Sequence, residues 1–560
     1  MYTNEKMKNL SPIKRFWMLL VPDKAEIRNV YVYGVFLGIL NLTLPIGIQA
    51  IINLIQGGEV STSWLVLILF VCMGIALGGV LQIKQLTITE NLQQKIFTRA
   101  AFEFTYRIPR VKLERLLKEY APELMNRFFD VVSVQKGLSK ILIDFSTSGI
   151  QVIFGLLLLS IYHPFFIVFS LLLLIMVVAI FYLTAKRGLQ TSMDESKNKF
   201  LIVHWLQELA RANTTFKLAG KTNLPLERVN KQTEKYLESR ESHFEILKKQ
   251  YGLLIAFKVL VALGLLLIGG LLVIDQQMNI GQFVAAEIII ILLVNSVEKL
   301  ILSLETIYDV LTALEKIGQV TDLELEQEGG MDILNSEAGF EIELNAVDYN
   351  YPSEKAKIIN GLNLKIGASE RLLIRGKGDS GKSTLLFLIS GLFKPSNGYV
   401  TIDDVPISNY DYESLHERIG AYMRDESLFE ATLLENITVG REKATYENVK
   451  WAIKNLGLEP LLKNLNYGYD TKIIPHGKQF SKSTTAKILL ARAIVDKPRL
   501  LLLENNFSYF SPEDRKELLE FILDKSHKWT VIMTSSQASE YSELWDRELT
   551  LDGGQIIDIN

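Results

Sequence analysis

The chain has 560 residues, 48% of them hydrophobic and 22% charged, with a formal charge of −3 at neutral pH. That length exceeds what one core sustains, so at least two domains are expected, and the near-neutral charge argues against nucleic acid as a partner. The single cysteine, Cys72, excludes an internal disulfide, and the positive mean hydropathy excludes an ordinary soluble composition.

Residues 1–28 carry Lys6, Lys8, Lys14, Arg15, Lys24 and Arg28. Over residues 10–25 an amphipathic pattern with Trp17 predicts an elbow helix lying at a membrane surface. Residues 29–320 hold six apolar runs, each long enough to cross a hydrocarbon core of roughly 30 Å as a helix. They fall near Val30–Leu54, Trp64–Ile88, Ile143–Tyr162, Pro164–Thr184, Tyr251–Ile274 and Gly281–Leu304. Because others follow it, the first run reads as a span rather than a cleaved signal. Cys72, inside the second, is expected to be a packing residue.

The connections Ile55–Ser63, Tyr162–Pro164 and Asp275–Ile280 contain no Lys or Arg, whereas the N-terminus and the long connections 89–142 and 185–250 are rich in both. The positive-inside rule therefore predicts that the N-terminus, the long connections and the C-terminal half are cytoplasmic. Within Glu90–Phe129 and Met193–Leu247, apolar residues recur at intervals of three and four. This predicts helices that run on from the spans, turn through short cross-helices near Leu113–Tyr120 and Ala210–Leu218, and return. Charges inside the spans are functional candidates. Glu287 and Lys258 are candidates for a substrate path, although Lys258 and Glu298 lie at similar depth and an ion pair between them is the alternative.

A polar, acidic linker, residues 321–338 with Gly329–Gly330, precedes residues 339–560. There, short β-type runs alternate with helices, as in an α/β domain with a largely parallel sheet. Inside it, residues 376–383 read GKGDSGKS and match the phosphate-loop pattern at Gly376, Gly381, Lys382 and Ser383. An apolar run, Arg371–Ile374, precedes the loop and a helical stretch, Thr384–Gly391, follows it. In that context the backbone N–H groups of Lys377, Gly378, Asp379, Ser380 and Thr384, with the helix N-terminus, suit a triphosphate. Lys382 is expected to reach the β- and γ-phosphates, and Ser383 to ligate Mg²⁺. The six histidines show no metal-ligand spacing.

Six spans, two long cytoplasmic excursions, a linker and a phosphate-loop domain resemble an ATP-binding cassette (ABC) exporter half-transporter. The resemblance implies an all-α transmembrane domain fused to an α/β ATP-binding domain, with ATP and Mg²⁺ as cofactors. It further implies a multi-pass location in a membrane, expected to be the bacterial inner membrane. By resemblance, Tyr351 stacks on adenine, though a Tyr beside Pro also suits a plain strand edge.

Several positions depart from the family pattern. Arg424 stands at the Q-loop glutamine, and its guanidinium, which cannot coordinate a cation, either approaches a phosphate or pairs on the surface. Phe480, Ser481, Lys482, Ser483 and Thr484 replace the signature motif, and Lys482 either attracts a partner's phosphate or props the interface open. In the Walker B run PRLLLLEN, Glu504 replaces the metal-binding aspartate and Asn505 the catalytic glutamate. Ser536 replaces the switch histidine, and Ser511 the D-loop aspartate.

Loss of a positioned general base costs about 10²–10⁴ in rate, or roughly 3–5 kcal/mol of barrier. The phosphate loop and the aromatic platform remain. The chain therefore reads as built to hold ATP and poorly built to split it. Such half-transporters work in pairs, so a heterodimer with an intact partner, with accessory secretion subunits as further candidates, is the expected assembly. An ATP-binding membrane regulator that moves nothing is the alternative.

Overall fold

The computed structural model describes residues 10–56, 62–117, 121–333, 336–352, 354, 356–424, 426–504, 507–536 and 541–557. They form two compact units: residues 1–109 with 119–323, and residues 110–118 with 324–560.

In the first unit, α1 (Pro12–Leu20) leads into α2 (Lys24–Asn41), α3 (Thr43–Gln56) and α4 (Thr62–Arg107). Trp17 on α1 is exposed, as suits a helix at an interface. The first apolar run is broken at Leu42. There Thr43 Oγ1 donates to Leu40 O at 2.7 Å, and Pro45 supplies no N–H to a continuous helix. The cationic face of α1 is anchored by Arg15, whose Nη1 and Nη2 donate to the two carboxylate oxygens of Asp322 at 2.9 and 2.5 Å.

The short α5 (Leu113–Leu116) belongs to the second unit. Next come α6 (Ala121–Met125), α7 (Asp130–Asp144), α8 (Ile150–Tyr162), α9 (Pro164–Arg211), α10 (Asn213–Leu218), α11 (Leu224–Gly264), α12 (Gly270–Ile274) and α13 (Ile280–Thr321). A π-turn, Phe145–Gly149, joins α7 to α8, and another, Leu265–Gly269, joins α11 to α12. Among the described residues, six helical segments are thus long and apolar enough to cross a membrane. Their outward faces are apolar: Leu69, Phe70, Leu183 and Leu263 are all more than 60% exposed. Such a surface is stable only against hydrocarbon. Cys72 lies on that exposed face, contrary to the packing role expected of it.

Beyond the apolar runs, α9, α11 and α13 stay together through buried polar contacts. Gln250 Nε2 donates to Thr184 Oγ1 and to the Tyr308 hydroxyl at 2.9 and 2.8 Å. Gly188 lets α9 approach the Tyr308 ring so closely that a Cβ would lie 2.4 Å from it. At the tip, α10 is braced by Trp205, whose ring meets Phe216 edge-on with 5.9 Å between centroids. Leu218 is 83% exposed there.

In the second unit a six-stranded sheet runs β12-β11-β3-β10-β9-β6. Its members are β3 (Arg371–Arg375), β6 (Ile419–Tyr422), β9 (Leu500–Glu504), β10 (Thr530–Ser535), β11 (Arg547–Asp552) and β12 (Gln555–Ile557). All neighbours are parallel except β11 and β12. Leu500, Leu501, Leu502 and Leu503 are fully buried on β9, each contributing about 1.5–3 kcal/mol of burial. A second, antiparallel sheet pairs β1 (Ile342–Tyr349) with β2 (Ile359–Ile366) and β4 (Asn397–Ile402), with β5 (Val405–Pro406) at its edge. The stretch read as a linker packs into this unit through backbone bridges, Leu325 to Val111 and Met331 to Tyr410. The first cross-helix, α5, docks here as well. Leu113 packs on the core around Phe393, and Glu114 accepts from the Lys394 N–H at 3.2 Å.

Candidate nucleotide site

Parallel α/β sheets place ligands at the carboxyl ends of their strands. Four segments converge there: the loop after β3, Glu504 at the end of β9, Ser536 just past β10, and Arg424 after β6. The loop 376–381 leads directly into α14 (Lys382–Ile389), so the strand–loop–helix context expected for a phosphate cradle is present.

The glycines at the loop's two ends have steric reasons. Gly381 sits at φ +97°, and a Cβ there would lie 3.0 Å from Ile358 O. A Cβ on Gly376 would lie 2.4 Å from Leu551 O. Between them Asp379 adopts φ 62°, and the side chain of Ser380 is buried. Lys382 Nζ folds into the loop and donates to Gly376 O, Lys377 O and Ser380 Oγ at 2.7, 2.6 and 3.2 Å. Burial lowers its pKa from the ordinary lysine value, opposed by Glu504 and Asp379. An anion in the cradle would supply the countercharge this ammonium lacks.

The Ser383 hydroxyl donates to Glu504 Oε1 at 2.5 Å, and the backbone N–H of Arg424 donates to Glu504 Oε2 at 2.8 Å. The Arg424 side chain is exposed, so the backbone, not the guanidinium, links this segment to the site. Ser383 and Glu504 are hard oxygen donors side by side, and this pair fits Mg²⁺. They would hold the ion, which neutralises phosphate charge when bound.

Tyr351 presents its ring beside the cradle. Its hydroxyl lies 3.1 Å from Thr384 Oγ1 on α14, and its ring meets Tyr349 and Phe393 edge-on at 5.5 and 5.9 Å. These three contacts hold the ring in place beside α14. The parallel register pairs Ser535 with Arg375, and Gly376 N donates to Ser535 O at 3.1 Å. That sets the exposed Ser536 beside the mouth of the loop. Asn505 lies outside the described residues.

The signature-position segment stands apart from these groups. Ser481 caps the helix Lys482–Ile494, accepting from Thr484 N at 3.1 Å, and its hydroxyl lies 2.9 Å from both Ser483 Oγ and Thr484 Oγ1. Phe480 is half-buried against the neighbouring core. Lys482 Nζ lies 5.1 Å from the Tyr509 ring centroid, a cation–π contact that residue order alone does not disclose. Ser511 caps the helix Pro512–Ile522 by accepting from Asp514 N at 3.1 Å. In the spans, Lys258 Nζ donates to Glu298 Oε2 at 2.8 Å, whereas Glu287 is exposed with no hydrogen bond among the described residues.

Two family models match: "ABC transporter transmembrane region" over residues 29–297 and "ABC transporter" over residues 359–508. The chain is 28% identical over 297 residues to the cyclolysin secretion/processing ATP-binding protein CyaB of Bordetella pertussis, covering 53% of this chain and 41% of that protein. It is 27% identical over 288 residues to the alpha-hemolysin translocation ATP-binding protein HlyB of Escherichia coli O157:H7, covering 51% and 40%. These matches span less than half the length of either relative. A solved structure of a bacterial Atm1-family ABC exporter with ATP bound superposes with a TM-score of 0.84 at 18% identity, over 96% of this chain and 94% of that one, a likeness of fold. With an ABC transporter transmembrane region and an ABC transporter domain in one polypeptide, the chain is an ABC half-transporter of the exporter fold.

Proposed function

We propose that this protein is the ATP-holding, weakly hydrolytic half of a heterodimeric ABC exporter. The observation that carries this reading is the contrast within one site. Gly376, Lys382, Ser383 and Tyr351 keep the residue types a triphosphate cradle needs and lie around one loop, while by the family resemblance Asn505 and Ser536 stand where the general base and switch histidine would be. A carboxamide has no useful basicity for activating water.

ATP binding would draw the two nucleotide domains together, and the cross-helices α5 and α10 would pass that movement to the spans as rigid-body rotation. The basic N-terminus and long connections support a cytoplasmic nucleotide domain, and the bacterial relatives support a bacterial inner membrane. A partner half with intact catalytic residues would supply hydrolysis, and accessory secretion subunits would extend the export path.

Co-expression with such a half, followed by an ATPase assay of the purified pair, tests the proposal. Activity should appear in the pair and vanish when the partner's catalytic glutamate becomes glutamine. A pair that hydrolyses ATP but moves no substrate in vesicles would favour a regulatory subunit.

A further inference from the structure

Away from the nucleotide site, a cavity of about 600 Å³ opens among α6, α9 and α13. Its inner wall includes Arg127 and Lys316, which are 7% and 9% exposed. Arg127 Nε donates to Gln319 Oε1 at 3.1 Å and Nη2 to Glu123 Oε1 at 3.3 Å, but the buried Nη1 has no hydrogen-bond partner. The Lys316 ammonium has no hydrogen bond or ion pair among the described residues. It stands 5.0 Å from the centroid of the Phe200 ring, with Arg127 Cζ at 4.0 Å and Lys199 Nζ at 5.6 Å from the same centroid.

Three cations around one phenyl ring repel one another, and the ring's quadrupole offsets only a fraction of that. Desolvated cations ordinarily find an anionic partner. Two carboxylates on this wall have cationic neighbours of their own. Glu123 accepts from Arg127 and lies 2.9 Å from His204, and Glu315 faces Arg15 at 3.7 Å. Asp194 and Lys197, also in the lining, are exposed. Asp130 lends Lys316 a nearby countercharge without touching it. Glu315 Oε2 and Asp130 Oδ2 are likewise buried without a hydrogen bond, each with cations nearby, and Arg127 Nη1 and the Lys316 ammonium are the donors left unmet on this wall.

Position limits the source of the ligand. Lys316 lies twelve residues beyond Leu304, where the last apolar run ends. At 1.5 Å per residue that is about 18 Å along the helix, past the lipid headgroups. The volume lies in the range of metabolite pockets, roughly 300–1,000 Å³.

We propose that this cavity binds a small water-soluble oxyanion, a carboxylate or phosphate compound, between Arg127 Nη1 and Lys316 Nζ. This site is independent of the nucleotide reading.

Full-length protein in detergent is treated with an amine-acetylating reagent, and modification of Lys316 is followed by peptide mass spectrometry. Citrate and inorganic phosphate are the probes, each matched in ionic strength with sodium chloride. At least one probe should protect Lys316 saturably, and which one does so identifies the ligand's acidic group as carboxylate or phosphate. Arg127→Gln should raise the half-protecting concentration by about tenfold, the loss of one charge-assisted hydrogen bond. If that variant does not fold, Lys316→Met, with binding read by calorimetry, should show the same loss. Protection should persist in Lys382→Ala, which separates this cavity from the phosphate loop. Protection no greater than chloride gives, or persisting only while the phosphate loop is intact, overturns the proposal. So does unchanged binding in Lys316→Met.

Discussion

Ser383 and Glu504 meet at 2.5 Å across the strand that separates β3 from β9. The contact ties the first turn of α14 to the end of the Walker B strand. Because Glu504 also accepts from Arg424 N at 2.8 Å, three separate segments are held by one carboxylate.

Glu504→Gln retains the shape and removes the charge. A hydrogen bond to a charged group contributes about 1.5–3 kcal/mol, so Mg²⁺-dependent ATP binding should weaken by roughly tenfold or more. Titration of a fluorescent ATP analogue with and without Mg²⁺ checks this. Equal Mg²⁺ dependence in the variant would remove Glu504 from the metal site.

Gly381→Ala places a Cβ 3.0 Å from Ile358 O on a residue at φ +97°. The strain should cost about 1–3 kcal/mol and should impair nucleotide binding. Thermal unfolding with and without ATP is the measurement. The variant should lose the ATP-induced rise in Tm, and an unaltered rise would mean that the loop tolerates a side chain.

Lys258 and Glu298 form an ion pair of 2.8 Å among the spans. Lys258→Met or Glu298→Met alone leaves one charge unpaired. With the side chains 35% and 28% exposed, each should destabilise by about 1–2 kcal/mol, less than a fully buried pair. The double variant should recover most of that loss. Additive Tm losses in detergent would show that the two residues do not interact.

His416 bonds through Nε2 to Ser390 O at 3.0 Å, and burial lowers its pKa below the ordinary 6.5. The unfolded chain therefore binds a proton at a higher pH than the folded one. The stability from the neutral ring is fully present above about pH 6.5 and is lost as the pH falls towards the folded value. Thermal unfolding of wild type and His416→Gln between pH 8 and pH 5 should show the difference shifting against wild type on the acid side. A pH-independent difference would contradict the assignment.

Much of the fold was legible because two constraints are strong. A bilayer demands long apolar runs, which exposed all six spans, and a phosphate cradle demands glycine and lysine at fixed spacing. Cys72 faces outward rather than into the packing, because an apolar residue in a spanning helix is as stable facing lipid as facing protein. The break at Leu42 and the π-turns at Phe145–Gly149 and Leu265–Gly269 follow from local hydrogen bonding that composition averages away. The stretch 321–338 is polar and so reads as a linker, yet it is pinned by backbone bridges that leave no side-chain signature. Residue identity points to the Arg424 guanidinium, whereas the contact with Glu504 is made by the main chain.

The most direct measurement is phosphate release by the purified chain alone, alongside ATP binding in the same sample. Our account expects saturable ATP binding that Lys382→Ala abolishes, with turnover about 10²–10⁴ below that of a site retaining its general base. Restoring the base with Asn505→Glu should raise turnover without altering affinity. Ordinary turnover by the unmodified chain would contradict the division between holding ATP and splitting it.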